Sequence, residues 1–224
     1  MKKVISFLLL MVGLGMIISC SKSSSSPSTN ANVMFVNGCV GAANIDAYVN
    51  SSKITGASNL AYLTASSYLA IPSGASLSAS LLLTATQTNL ATGTVSLTTG
   101  SNYSIFAGGD VTPTPFFRFT SDDLSAPTSG NAKIRLANLC ADTLNATVSV
   151  GSNSVLSNIG YGTVSSFVEV AAGTNNIKVG DPLNFASVIM VGTGAQTLNS
   201  GKIYTILLTG TNTTNNAAIL ISNN

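Results

Sequence analysis

Residues 30–39 read NANVMFVNGC, and residues 131–140 read NAKIRLANLC, a second copy of the same pattern at an offset of 101 residues. Polar and apolar side chains alternate through the KIRL of the second copy. This period of two is typical of a β-strand that turns one face toward a core. The side chains expected to face that core are Val33, Phe35, Ile134 and Leu136.

Two further blocks recur in the same order along the chain. Residues 61–71, AYLTASSYLAI, return as residues 160–170, GYGTVSSFVEV, at an offset of 99 residues. The pattern Leu-x-x-Gly-x-x-Tyr, which ends at Tyr103, returns at an offset of 101 and ends at Tyr204. Three ordered blocks at nearly constant spacing indicate a tandem duplication.

The duplication divides the chain into two units. We expect one unit over residues 31–121 and a second over residues 131–224, joined by a linker over residues 122–130. The adjacent acids Asp122 and Asp123 fall in this linker, where we expect a solvated turn. Chains of this size commonly fold alone, so we expect each unit to form a separate domain.

Each unit contains short β-rich runs separated by Gly, Asn, Ser and Pro. In the first unit the runs after the opening strand cover residues 44–49, 66–71, 77–84, 94–98, 103–107 and 116–120. About seven strands in a unit of this length favour an all-β, two-sheet sandwich. The aromatic cluster FFRF at residues 116–119 is interpreted as part of the last core strand of its unit.

Tyr103 and Tyr204 lie near the start of late strands in the two units. Both resemble the tyrosine corner of sandwich folds, in which the hydroxyl bonds back to backbone a few residues upstream. The alternative is a simple core tyrosine. Both interpretations place the ring in the interior.

The first 19 residues have the pattern of a secretion signal. Lys2 and Lys3 precede an apolar run over residues 4–18, which is shorter than the roughly 20 residues of a spanning helix. The run ends in IISC, which resembles the lipobox of lipoprotein precursors, so we expect Cys20 to become the acylated first residue. A diacylglycerol and a further chain such as palmitate would give the two or more chains that stable anchoring requires. Residues 20–30 then form a flexible, Ser-rich tether.

The charge balance argues against a nucleic-acid partner. Loss of Lys2 and Lys3 with the signal leaves seven basic residues against seven acidic ones, so the mature chain is close to neutral. Charged residues are 7% of the chain, against roughly 25% in typical domains. No basic stripe is available to neutralise phosphates.

The sequence lacks most of the inventory of an enzyme. It has no histidine, which removes the common Ser-His and Cys-His arrangements and the commonest zinc ligand. No Asp-x-Asp-x-Asp-Gly calcium loop is present either. We therefore expect no catalytic residues, no metal site and no cofactor.

The repeated blocks resemble a bacterial family called domain of unknown function 4397, which often occurs in tandem in secreted and lipid-anchored proteins. The resemblance rests on first strands that end in Asn37 and Asn138, on DAYVN at residues 46–50, and on the recurring blocks described above. It covers nearly everything from Asn30 onward. It implies an immunoglobulin-like sandwich and a cell-envelope location, and it carries no catalytic residues.

This sequence departs from the family pattern in two places. The Ser-Pro that members often carry after the first strand is replaced by GC at residues 38–39 and LC at residues 139–140. The second unit has TVSV at residues 147–150 in place of the more typical Asp-led strand.

Tyr68 and Phe167 occupy equivalent positions in the two units and alternate with aliphatic residues along the chain. If the aliphatic side chains are core, these aromatic rings point outward. Such rings would either stack on a ligand such as a glycan or pack between the two units. The sequence leaves both interpretations open.

Cys39 and Cys140 also occupy equivalent positions, directly after the first strand of each unit. One interpretation is a disulfide between the units, since the envelope is oxidising. It requires Cα atoms within about 7 Å of each other. The other is a pair of buried free thiols that act as small apolar residues.

Together these features predict a non-enzymatic, lipid-anchored protein of the cell envelope with a structural or interaction role. Its partners would be the membrane, through the anchor, and envelope proteins or polysaccharide. The alternative is a glycan-binding accessory lipoprotein. Ser21 stands where an Asp can retain lipoproteins on the inner membrane, which favours the outer membrane. Orientation toward the periplasm or the cell surface stays open.

Overall fold

The computed structural model describes residues 29–112, 115–181, 189–211 and 215–224. The predicted signal, Cys20 and the tether before Thr29 lie outside the described residues. The described part is nearly all β, with a single turn of 3-10 helix at Thr55–Ala57. None of its segments forms a helix with the length and hydrophobicity needed to span a membrane.

The first repeat contains β1 (Asn30–Asn37), β2 (Asn44–Val49), β3 (Ser52–Lys53), β4 (Leu60–Ala61), β5 (Thr64–Ala65), β6 (Leu69–Pro72), β7 (Gly74–Leu83), β8 (Asn89–Leu97), β9 (Asn102–Gly108) and β10 (Phe116–Asp122). One sheet has the order β10-β9-β1, with β5 and β6 both pairing on the free edge of β1. The other has the order β3-β2-β7-β8, with β4 also pairing on β2. Strands β1 and β9 run parallel, and the neighbouring pairs run antiparallel.

The second repeat contains β11 (Asn131–Cys140), β12 (Asn145–Val150), β13 (Asn153–Gly160), β14 (Thr163–Val164), β15 (Val168–Ala171), β16 (Gly173–Asn175), β17 (Ile177–Gly180), β18 (Ile189–Met190), β19 (Gln196–Leu198), β20 (Ile203–Gly210) and β21 (Ala217–Ser222). Strand β11 pairs with β20 in parallel and with β14 and β15 antiparallel, as β1 does with its neighbours. The opposing sheet has the order β13-β12-β17-β18, and β16 pairs separately with β19.

The all-β sandwich predicted from the sequence is confirmed. Strand β2 has the predicted bounds, and β9 extends the predicted run by one residue at each end. Strand β10 runs two residues further than predicted and ends at Asp122. The short strands β3, β4 and β5 were missed because two residues are too few to show a period.

Each repeat has its own hydrophobic core between its two sheets. Val33 and Phe35 lie in the first core, and Ile134 and Leu136 lie in the second, as the alternation predicted. Tyr103 and Tyr204 are nearly buried against these cores.

The two tyrosine hydroxyls make the contacts of a tyrosine corner. The backbone N–H of Thr98 donates to Tyr103 Oη at 3.2 Å, and the N–H of Asn199 donates to Tyr204 Oη at 3.0 Å. Each bond reaches five residues upstream, so the tyrosine corner is the one of the two interpretations that the structure describes. The turn before each late strand is thereby tied to the strand itself.

A third core lies between the two repeats. Its buried side chains come from strands β1, β9, β11, β20 and β21 of the two inner sheets, and they are Met34, Val36, Phe106, Ala137, Leu139, Leu207 and Ile221. The sheets that carry β1 and β11 therefore pack on each other, and the remaining sheets form the outer layers. The expectation of half-buried first strands was wrong, because the second face of each strand is covered by the other repeat.

Candidate functional site between the two repeats

A buried ion pair joins the two repeats within their contact. Asp122 ends β10 in the first repeat, and Arg135 lies in β11 of the second. Arg135 Nη1 donates to Asp122 Oδ1 at 2.5 Å, and both side chains are almost completely buried. The solvated turn expected at Asp122 was wrong, because the strand continues to this residue and the second repeat covers it.

Hydroxyl groups make further hydrogen bonds to both the Asp122 carboxylate and the Arg135 guanidinium. Ser104 Oγ and Tyr68 Oη each donate to Asp122 Oδ2 at 2.5 Å. Arg135 also donates from Nε to Thr205 Oγ1 at 2.8 Å and from Nη2 to Ser104 Oγ at 2.8 Å. Hydrogen bonds to both members are what make a buried ion pair tolerable.

Tyr68 connects the ion pair to the end of the second repeat. Its hydroxyl donates to Asp122 and accepts from Asn223 Nδ2 at 3.0 Å. Burial, reinforced by the charge of Asp122, raises the pKa of the Tyr68 hydroxyl well above its usual range. The hydroxyl therefore stays protonated and continues to donate to the carboxylate.

The equivalent aromatic of the second repeat contacts the same ion pair. The guanidinium carbon of Arg135 lies 4.4 Å from the centroid of the Phe167 ring, within the range of a cation–π contact. Of the two uses considered for Tyr68 and Phe167, packing between the units is therefore the one that the structure describes for both rings.

A second set of contacts holds the far end of the interface. The rings of Phe116 and Tyr161 meet edge to face with centroids 5.5 Å apart. Arg118 Nε donates to the carbonyl of Gly162. Thr209 Oγ1 donates to the carbonyl of Gly38 at 2.6 Å. The repeats are thus in contact at this end of the inner sheets as well as around the ion pair.

A family model described as Domain of unknown function (DUF4397) matches residues 31–145 and again residues 136–224. The chain belongs to the DUF4397 family. The two matches overlap over residues 136–145 and together cover both sandwiches, which confirms the predicted tandem arrangement. No curated protein matches the chain.

A groove of about 350 Å³ lies beside the ion pair, between the two DUF4397 repeats. Its lining combines hydroxyl groups, one carboxylate and one aromatic ring, and it consists of Thr120, Ser121, Asp123, Arg135, Val164, Ser165, Ser166 and Phe167. Each nitrogen of the Arg135 guanidinium already donates to a protein acceptor. The groove therefore offers neutral hydroxyls and the Phe167 ring rather than a free positive charge.

Both cysteines of the DUF4397 repeats are free and buried. Cys39 lies in the first core and Cys140 in the second, so the structure holds two separated thiols and not the bridge. Burial, with a smaller contribution from Asp110, raises the pKa of Cys39 to about 12. Burial also raises the pKa of Cys140. Thiols in this state are poor nucleophiles.

Asp46 is the other fully buried acid of the DUF4397 repeats, and it lies in β2 far along the sequence from the interface. It accepts hydrogen bonds from Lys53 Nζ at 2.7 Å, from the Asn59 N–H at 2.8 Å, from Gln87 Nε2 at 2.9 Å and from Thr84 Oγ1 at 3.1 Å. These partners occupy the carboxylate, which ties β3 and two loops to β2.

In the part of the chain that the structure describes, no group of three or more His, Cys, Asp or Glu side chains could hold a metal ion. The two buried acids are surrounded by donors of the protein itself. The DUF4397 repeats therefore use these acids to hold strands and loops in place.

Sequence reasoning missed the roles of Arg135 and Asp122. The alternation of polar and apolar residues placed Arg135 on the solvent-facing side of an amphipathic strand. One signal could have found it: the equivalent residue of the first repeat is Met34, and the flanking outward positions are Val36 and Ala137. An apolar residue at an outward position in one repeat indicates that the outward face is covered in both.

Proposed function

We propose that this protein is a lipid-anchored component of the cell envelope whose two sandwiches act as one rigid, non-enzymatic interaction module. The observation that carries the anchor is the apolar run that ends at Cys20. The closed interface between the repeats supports the rigid module, since a core and an ion pair are shared across it.

A non-enzymatic role is supported by the use that the protein makes of its acids. Asp46 and Asp122 are each saturated by hydrogen bonds from neighbouring strands and loops. A general acid or base must exchange a proton with a substrate within hydrogen-bond reach. Neither carboxylate is exposed for that purpose.

The anchor is tested by Cys20→Ala in cells fed a labelled fatty acid. We expect the variant to lose the label and to leave the membrane fraction. Cys39→Ala and Cys140→Ala are the matched controls and should keep both. A Cys20→Ala protein that still carries label and still pellets with membranes would show that the anchor lies elsewhere.

A substitution at Ser21, directly after Cys20, tests the proposed outer-membrane location. Wild-type protein should fractionate with the outer membrane on a density gradient. Ser21→Asp should shift it toward the inner membrane, because an acid directly after the lipidated cysteine favours retention there. An unchanged profile would argue against sorting by this residue.

Glycan binding in the groove is the second candidate, and the specific observation in its favour is the combination of hydroxyls with the Phe167 ring. Sugars stack on aromatic faces and exchange hydrogen bonds with hydroxyls. Ser166→Tyr would fill the groove without changing the ion pair. Ser67 is the equivalent position of the first repeat, so Ser67→Tyr is the control.

Calorimetric titration of the mature chain with envelope polysaccharides tests this candidate. Binding that is lost in Ser166→Tyr and kept in Ser67→Tyr would place the glycan in the groove. Absence of binding by the wild-type chain, or equal loss in both variants, would exclude the groove as its site.

A further inference from the structure

Contacts across the interface are reciprocal, as in a two-fold symmetric dimer. Gly38 and Leu139 occupy equivalent positions of the two repeats, and a Cβ atom on Gly38 would lie 2.8 Å from Leu139 Cδ1. A contact between equivalent residues marks the pseudo-two-fold axis. Gly38 also accepts from Thr209, and the equivalent pair, Leu139 with Gly108, is likewise close.

The residues at this interface differ between the repeats even though their positions are equivalent. Arg135 corresponds to Met34, and Asp122 corresponds to Asn223. Tyr68 corresponds to Phe167. The positive member of the ion pair therefore comes only from the second repeat, and the negative member only from the first.

Pairing of a repeat with a copy of itself would leave these charges without partners. Two second repeats would place each Arg135 against an Asn223, and two first repeats would place each Asp122 against a Met34. A buried charge whose partner is removed is strongly destabilising. Both homotypic pairings therefore carry two unpaired buried charges.

Side-chain volume also disfavours the pairing of a repeat with a copy of itself. The Leu139 side chain occupies space that the absent side chain of Gly38 leaves open. Two second repeats would bring two leucines together on the axis, and two first repeats would leave a void between two glycines. Both overpacking and cavities destabilise a close-packed interface.

We propose that the inner faces of the two repeats are a recognition surface for each other: repeat 1 binds repeat 2, and neither binds a copy of itself. Specificity arises from contacts that favour one pairing and clashes or unpaired charges that disfavour the others. The short linker adds a high effective concentration of the correct partner. The chain closes on itself, so the buried inner faces are not free to bind other molecules. This proposal does not depend on the proposed function.

The test uses a soluble chain that starts at Ser21, directly after the predicted acylation site, folded intact, with a protease site inserted between the exposed residues Ser125 and Ala126. After cleavage, native mass spectrometry over a dilution series measures which halves remain associated. We expect complexes of one first repeat with one second repeat. Separation of the wild-type halves at micromolar concentration, or homotypic complexes in comparable amounts, would overturn the proposal.

Three variants of the cleaved protein separate charge specificity from general damage. Asp122→Asn and Arg135→Met should each weaken the association of the halves by about 100-fold or more, because each leaves one buried charge unpaired. The double variant should recover most of this loss and should form more homotypic complexes than the wild type, although the Gly38–Leu139 contact still disfavours them. Glu169→Gln, an exposed charge whose partners Thr128 and Asn131 lie in the same half, is the control and should change the association by less than about threefold.

Gly38 and Leu139, which contact each other across the interface, provide a second test in case a charge variant does not fold before cleavage. Gly38→Leu should weaken the association of the halves, and Gly38→Leu with Leu139→Gly should restore it. Circular dichroism of the uncleaved variants checks their fold. Equal association of the single and double variants, in the charge pair or in the Gly38–Leu139 pair, would contradict the proposal.

Discussion

Individual buried polar side chains help to fix the arrangement of strands and loops in a chain with few charged residues. Asp46 and Asp122 are both fully buried acids, and each is satisfied by several donors. No buried side-chain nitrogen or oxygen among the described residues lacks a hydrogen-bond partner. Such complete networks favour a single arrangement of the strands and loops that contribute to them.

Asp46 should make the stability of the protein depend on pH. Burial alone would raise the pKa of its carboxyl, but hydrogen bonds from Lys53, Asn59, Gln87 and Thr84 lower it from 3.8 to about 2. A lowered folded-state pKa contributes stability above pH 4, and this contribution is lost as the pH falls toward 2.

Asp46→Asn should therefore lower the free energy of unfolding at pH 7 by about 2 kcal/mol and flatten its fall between pH 5 and pH 2. Urea unfolding at several pH values measures both. Asp123→Asn, whose side chain is 66% exposed, should cost less than about 1 kcal/mol at pH 7. An unchanged pH profile in Asp46→Asn would contradict the assigned role.

The thiol state of Cys39 and Cys140 is directly measurable. Because both are buried and free, the folded protein should react slowly with a thiol reagent. After denaturation without reductant, a soluble chain that starts at Ser21 should show two reactive thiols. Absence of reactive thiols in a monomeric chain would instead support the bridge between the repeats.

Strand ends are tied by short motifs that recur in both repeats. In the Leu-x-x-Gly-x-x-Tyr block the glycines, Gly100 and Gly201, have positive φ values of 76° and 81°. Glycine adopts this conformation without the strain of a Cβ atom. The turn brings the tyrosine hydroxyl back to the backbone N–H at Thr98 or Asn199.

Removal of one corner hydroxyl should loosen the turn in its own repeat. Tyr204→Phe leaves the N–H of Asn199 without its acceptor and should cost about 1–2 kcal/mol. Tyr48→Phe is the control, because the Tyr48 hydroxyl contacts Gln87 at the surface and should contribute less than about 1 kcal/mol. Chemical denaturation of both variants compares the losses, and equal losses would argue against the corner as a stabilising element.

Because the two repeats share the third core, the stability of each repeat depends on the other. Leu139, Leu207 and Ile221 are buried only because the other repeat covers them, and Arg135 finds its carboxylate there. Separate cores mean that each repeat has an interior of its own. The independent domains expected from the sequence are thus coupled by a large shared surface.

The mature chain should accordingly unfold in one cooperative transition. Thermal unfolding followed by circular dichroism and by thiol exposure should give coincident midpoints. Residues 131–224 expressed alone should melt at a lower temperature than the full chain, since they lose the shared core. Two separate transitions in the full chain would show that the interface contributes little.

The order of amino acids was sufficient to predict the duplication, the all-β sandwich and the inward side chains of the first strands, and it gave the tyrosine corner as one of two interpretations of Tyr103 and Tyr204. These features depend on periodicity and on local turns, which are determined by residues close together in the sequence. The covering of the second face of β1 and β11 depended on contacts between residues far apart in the sequence. An outward Arg135 has the same pattern whether water or Asp122 lies opposite, so only the packing of one repeat on the other decided that it is buried.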